Sequence, residues 1–229
     1  MSNGALPQKS EHVFSFENFT MFPFDVTSKK DYEDYKSIVT DEDIMKTISL
    51  FNCKVPDDEK EIQSTYDILT EVNKLSDVPL SYKVVSNDGE LMGLIMSAIL
   101  EKDANGEPAV VDFGHMFKKE YRGTVPLMVS SVMAKQSFKS RSVKKIIATA
   151  IADNYNAQAI ILRRGFDCIG QLKKDNNGPS VNIFELTKER FFSGIGVRIK
   201  DIKNYIDEMS KKFSDGAAQT LIKPFCTRV

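Results

Sequence analysis

The chain has 229 residues, 41% hydrophobic and 28% charged, with net charge −1, the balance of a soluble globular protein of one substantial domain with extensions or two small ones. Its apolar runs are too short to span a bilayer, and residues 1–9 lack the apolar core of a secretion signal. Cys53, Cys168 and Cys226 are scattered without a CxxC pair, which speaks against a zinc site and for a reducing, cytoplasmic setting; non-classical export stays open.

Charge is segregated along the chain. Residues 1–117 hold 10 Lys, no Arg and 22 acidic residues, a net of −12, whereas residues 118–174 hold 12 basic and 3 acidic residues, a net of +9. This reads either as solvated faces of opposite sign or as an anion-binding half beside an acidic half that attracts a cationic partner. Nucleic acid is not expected, because no basic-aromatic interleaving or recognition-helix pattern accompanies the charge.

Residues 1–13 read as a flexible N-terminus. Residues 14–25 carry five Phe in an interrupted alternation, an opening strand. Thr27 or Ser28 can cap a helix over 30–39, Thr40 or Asp41 another over 43–51, and 56–75 reads as a third. Residues 81–86 and 91–100 form a hairpin around Asp88-Gly89, and the turn 102–108 leads to a strand over 109–117. Gly114 within that strand is a candidate bulge or close-approach position. A helix follows over 126–139 with Pro126 near its first position, where a missing N–H costs nothing. Strands are expected over 146–153, 166–172 and 180–186. Residues 188–213 read as a helical extension with a break at 193–196, and Ile199, Ile202, Ile206 and Met209 recur at helical spacing.

Residues 146–169 carry the most specific pattern. A β-branched and Ala run leads to Asp153-Asn154-Tyr155-Asn156, which offers N-cap chemistry, and then to a short helix over 157–164. Gly165 stands where a helix end favours positive φ, and Phe166 can fold back on the last turn. The order Asn154, Ala157, two basic residues and Gly165-Phe166 resembles the closing motif of the GCN5-related N-acetyltransferases, the GNAT superfamily. Residues 37–49 and 82–95 resemble the branch that includes ribosomal-protein N-terminal acetyltransferases, and the resemblance covers about residues 20–187.

That resemblance implies an α/β (α+β) fold: a mixed, mostly antiparallel central sheet flanked by helices over 14–187, with a C-terminal helical extension over 188–229. It implies an acyltransferase that moves an acetyl group from acetyl-CoA to a primary amine by direct attack, with no metal. Glu120-Tyr121-Arg122-Gly123 matches the family's pyrophosphate loop, so Arg122, Gly123, Thr124, Val125 and Leu127 are the expected phosphate contacts. Val125 and Leu127 stand where the family has glycines, and Pro126 lies between them. Phe117 and Lys119 would offer backbone pairing to pantetheine, and Asn154 would approach the cofactor near its sulfur. Asp112 and His115 are the polar residues of their strand, and either could take the amine proton. The general-acid Tyr of many relatives falls here on Ile161, which has no proton to give. The acceptor is expected to be amine-bearing: a protein N-terminus, a lysine or a small cation. No membrane contact is expected. Val125, Pro126, Leu127 and Ile161 leave open a binding or regulatory protein on the same fold.

Overall fold

The apolar alternation of the chain closes into one eight-stranded sheet in the computed structural model, which describes residues 12–25, 27–48, 55–56, 58–173, 180–193, 205 and 208. In chain order the elements are β1 (Phe14–Ser15), β2 (Phe19–Pro23), α1 (Lys29–Val39), α2 (Glu42–Ile48), α3 (Glu59–Leu75), β3 (Tyr82–Ser86), β4 (Leu91–Lys102) and β5 (Pro108–Phe117). Then come α4 (Thr124–Ser137), β6 (Lys145–Ile151), α5 (Tyr155–Arg163), β7 (Asp167–Lys173), β8 (Ser180–Thr187) and α6 (Lys188–Ser193). The strand order is β1-β2-β3-β4-β5-β6-β8-β7, and every pairing is antiparallel except β5 with β6. The expected mixed, mostly antiparallel sheet flanked by helices is the fold observed.

Caps set the helix starts. Ser28 accepts from the Asp31 N–H, Asp41 from the Ile44 N–H and Asp58 from the Glu61 N–H. The Asp58 cap starts α3 at Glu59, three residues later than its apolar pattern begins. The opening Phe-rich segment splits into β1 and β2, paired antiparallel, because Phe16 N–H turns back onto the Phe19 carbonyl.

Neighbouring residues of β4 show how the layers stack. Leu94 packs with Met116 under α1, α2 and α3, through Ile38, Ile44, Tyr66 and Leu69. Ile95 packs with Phe117, Tyr82 and the Val129 and Met133 side chains of α4. Successive strand residues face opposite sides, so α1–α3 cover one face and α4 the other. Leu162 and Phe166, within and just after α5, join the α4 side with Ala134, Phe138, Ile146 and Ala148.

Gly114 is neither a bulge nor a close-approach position. It pairs in unbroken register with Met96, and a Cβ there would meet nothing within 4 Å. The close approach lies at Gly93, where a Cβ would overlap the Met116 carbonyl and come within 2.7 Å of the Phe117 ring. The β4–β5 irregularities lie instead between Ile99 and Lys102.

The ends of the chain lie partly beyond the described residues. Of the N-terminal segment, His12 is described, its Nδ1 2.8 Å from Gln136 Nε2. Of the expected helix over 188–213, α6 continues directly from β8, and Tyr205 and Glu208 are helical; Ile199, Ile202, Ile206 and Met209 lie outside the described residues. Phe191 meets the Phe138 ring at a tilt, centroids 5.3 Å apart, and Tyr205 packs on the same cluster.

Candidate active site

The parallel pair that carries the site is short. β5 and β6 pair only at Val110↔Lys145, Val111↔Ile146 and Asp112↔Ile147. Beyond Asp112, β5 stays in register with β4 as far as Phe117, and β6 stays with β8 as far as Ile151. The two strands therefore part. Gly114 and His115 lie mid-strand in the interior of an eight-stranded sheet, yet both are exposed. They look to opposite faces, so the sheet is open from both sides at this level.

Asp112 sits at the last paired position, where the opening begins. Its Oδ1 accepts from the Ala98 N–H at 2.8 Å. Desolvation raises the carboxyl to about 6, the Ala98 N–H opposing the shift. The His115 ring stands 6.0 Å from the Phe117 ring. It reaches solvent through the opening, yet protein crowds it from behind, and that desolvation lowers its basicity to about 4. The lowered basicity keeps the ring neutral at pH 7. Three residues apart on a regular strand, Asp112 and His115 face opposite sides of the sheet, so the two candidates address different faces.

The start of α4 follows the open end of β5. Gly123 takes φ 115° and ψ −110°, a backbone state left to glycine, and no side chain caps the helix. The N–H groups of Gly123, Thr124 and Val125 thus begin the helix without intrahelical partners. The helix starts two residues earlier than its sequence pattern indicated, so Pro126 is the third helical residue. Its missing N–H still falls in the first turn, where no intrahelical bond is lost. Val125 adopts helical backbone and packs its side chain on the α4-side core, so it needs no positive φ. Leu127 is half-buried behind it.

The basic residues around this turn have distinct roles. Arg122 donates from Nε to the Phe117 carbonyl and from Nη2 to the Asp43 carbonyl, both at 3.1 Å, bracing the loop against β5 and α2. The Phe117 carbonyl thus already accepts one bond, and its ring is buried. Lys118 pairs with Glu90 at 3.3 Å, and Tyr121 donates to the same carboxylate at 2.7 Å. Lys119, within a single 3-10 turn over Lys119–Tyr121, is exposed.

Asn154 caps α5, its Oδ1 accepting from the Ala157 N–H at 3.1 Å, at the exposed exit of β6. Gly165 has φ 89° and Phe166 is buried, as the helix-stop pattern requires. Ile161 packs against the core. The Cys168 thiol is pushed up to about 11 by burial, which leaves it a packing residue and a poor nucleophile. Beneath the Asn154 turn lie two buried amides that the motif reading did not single out, Gln158 and Asn182. The sequence signal for each is a lone amide in an apolar run.

Among the described residues, no group of three or more His, Cys, Asp or Glu could hold a metal ion, and no helix is long and apolar enough to cross a membrane. Comparison with family models finds no match, and comparison with curated proteins finds none either. Solved structures do match. An acetyltransferase of the GNAT family from Bacillus anthracis is 18% identical, with TM-score 0.56 over 77% of this chain and 99% of its own. Spermidine N-acetyltransferase from Vibrio cholerae, in complex with CoA and spermine, is 14% identical, with TM-score 0.60 over 76% of this chain and 98% of its own. Ribosomal-protein-S5-alanine acetyltransferase from Vibrio fischeri is 16% identical, with TM-score 0.59 over 78% and 98%. The parted β5–β6 pair and the glycine-led start of α4 thus sit in a chain whose fold is that of the GNAT acetyltransferases.

Proposed function

We propose that this chain is an N-acetyltransferase that moves an acetyl group from acetyl-CoA to a primary amine by direct attack. The observation that carries the reading is the opening through the sheet between β5 and β6, with the uncapped start of α4 following its open end. The residues fit the cofactor. The Gly123, Thr124 and Val125 N–H groups and the helix dipole would hold its pyrophosphate, with Arg122 bracing the loop and Lys119 adding charge. Phe117 and Lys119 flank the pantetheine path, Leu127 backs the turn, and Asn154 stands at the β6 side of the opening. Acetyl-CoA, when bound, supplies the activated thioester carbonyl.

Asp112 is the better-matched base, since a carboxyl near 6 can take a proton from an ammonium and return it to solvent close to neutral pH. His115, held neutral, offers the other face a hydrogen-bond partner. Ile161 assigns the thiolate's proton to solvent. The acidic early half favours a cationic acceptor, and the solved neighbours' own acceptors, spermidine and a ribosomal-protein alanine, are both amines. A branch related to the ribosomal-protein enzymes and a cytoplasmic setting complete the reading.

Thermal unfolding with saturating acetyl-CoA, against ADP, is the first test. A ligand at a hundred times its Kd adds about 2.7 kcal/mol to the folded state. Thiol release with an N-terminal peptide, a lysine peptide and spermidine then assigns the acceptor. A second reading, a binding protein without chemistry, is favoured by Ile161 in the core and by Arg122 committed to its own backbone. It predicts no specific shift and no thiol release.

A further inference from the structure

We infer that a chain of three amides, the buried Gln158 and Asn182 and the partly exposed Gln171, is the positioning device for Asn154 and so for the cofactor's thioester end. This rests on the acetyl-CoA reading above for its functional consequence, although not for its structural one.

The turn between β6 and α5 has to expose Asn154 while its carbonyls point into the protein. Gln158, one turn into α5 and fully buried, meets that demand. Its Nε2 donates to the Ile151 carbonyl at 3.3 Å and to the Ala152 carbonyl at 2.6 Å, while its backbone N–H bonds the Asn154 carbonyl at 3.1 Å. The Asn154 N–H in turn bonds the Ile151 carbonyl at 2.9 Å, and the Ala152 N–H bonds Ser180 at the start of β8. One side chain thereby ties the last residue of β6, the turn and the first turn of α5 together.

The direction of the chain follows from chemistry. Carbonyls only accept, so Nε2 of Gln158 must face them, and its Oε1 is left to receive Asn182 Nδ2 at 2.7 Å. Asn182 Oδ1 then receives Gln171 Nε2 at 2.9 Å, which continues the same donor-to-acceptor sense into β7. Asn182 is 1% exposed and sits opposite Ala150 of β6 and Gln171 of β7, so the strands hold it in register. A hydrogen-bonded network with Gln158 and Asn182 buried favours one geometry, because rotating either amide leaves a donor or acceptor unpaired in a dry site. No aliphatic residue at Gln158 could hold two carbonyls and accept a bond at once, and none at Asn182 could donate to one amide and accept from another.

Asn154 makes its cap from this turn, with Oδ1 on the Ala157 N–H. An untied turn would keep the residue and lose its placement. Gln158, Asn182 and Gln171 are positioning residues, and Asn154 is the group they deliver.

The test is a double-mutant cycle on acetyl-CoA binding by calorimetry, with wild type, Asn154→Ala, Asn182→Leu and the double variant, all checked for folding by circular dichroism. Amide hydrogen exchange of the ligand-free proteins runs in parallel. Asn182→Leu should weaken binding about tenfold, the scale of a contact coupling, and the double variant should be no weaker than Asn154→Ala alone. Additive losses would overturn the inference, because they would show Asn182 acting elsewhere. Wild type failing to bind acetyl-CoA would sink the proposed function instead, and exchange then decides the positioning. Faster exchange at the Ala157 and Gln158 amides in Asn182→Leu supports it, and unchanged protection there overturns it. If Asn182→Leu does not fold, Gln171→Met, at the partly exposed end of the chain, replaces it with the same outcomes.

Discussion

Asp112 links stability to pH through one carboxyl, and on the proposed reading the same carboxyl is the base. Its folded value of about 6 lies above the ordinary 3.8, so the folded chain binds this proton more tightly than the unfolded chain. Stability therefore falls as pH rises from about 4 to about 6 and is flat above that, by an amount on the order of 3 kcal/mol. An asparagine keeps an acceptor for the Ala98 N–H and never ionises. Asp112→Asn should raise the urea midpoint at pH 7 and leave it unchanged near pH 4, while lowering kcat by about a hundredfold or more. A gain that persists undiminished at pH 4 would mean that ionisation of Asp112 is not its source. The acid limb of the rate profile, expected near 6, should vanish in the same variant.

Among the elements, β4 and the start of α4 are the tightest constraints. Gly93 brings β4 within reach of the Met116 carbonyl and the Phe117 ring, at the end of the strand that bears the site. Gly93→Ala should cost about 1–3 kcal/mol, the range for forced overpacking, measured by chemical denaturation. An unchanged midpoint would show that β5 can yield there. Gly123 is different in kind. It has open space around it, and its positive φ is the whole constraint, so Gly123→Ala should cost about 1–3 kcal/mol through backbone strain and weaken acetyl-CoA binding together. Much of this level was legible in the chain. Asp88-Gly89, the Ser28 and Asp41 caps, and Gly165-Phe166 announce themselves through local hydrogen bonding and φ preference. Gly114 misled for the opposite reason: a glycine in a strand is the same letter whether a neighbour crowds it or the sheet opens beside it.

For the molecule as a whole, α6 is tied to the sheet domain by several contacts. Lys188 Nζ bonds the Ser140 carbonyl at 2.9 Å, Arg190 bonds the Gly165 carbonyl and pairs with Asp167, and Phe191 meets the Phe138 ring at a tilt. Phe191→Ala should therefore lower the single unfolding transition by about 3 kcal/mol. Two separate transitions in calorimetry would instead make the segment an independent unit. Charge tells a similar story at this scale. The basic residues of 118–174 are spread over several elements: Lys119 and Arg122 before the start of α4, Lys135, Lys139 and Arg141 at and beyond its end, Lys145 on β6, and Arg163 and Arg164 at the end of α5. The sequence average had merged these groups.

Periodicity, caps and turn chemistry are properties of neighbours in the chain, and they were enough for the element order, the mixed sheet, and N-cap chemistry at Asn154. Where β5 and β6 part, which faces Asp112 and His115 address, how Arg122 spends its guanidinium, and how Gln158 meets Asn182 depend on contacts between residues 24 to 79 positions apart. Such contacts leave no local signature, because desolvation, strand register and buried hydrogen bonding exist only once distant segments exclude water from one another.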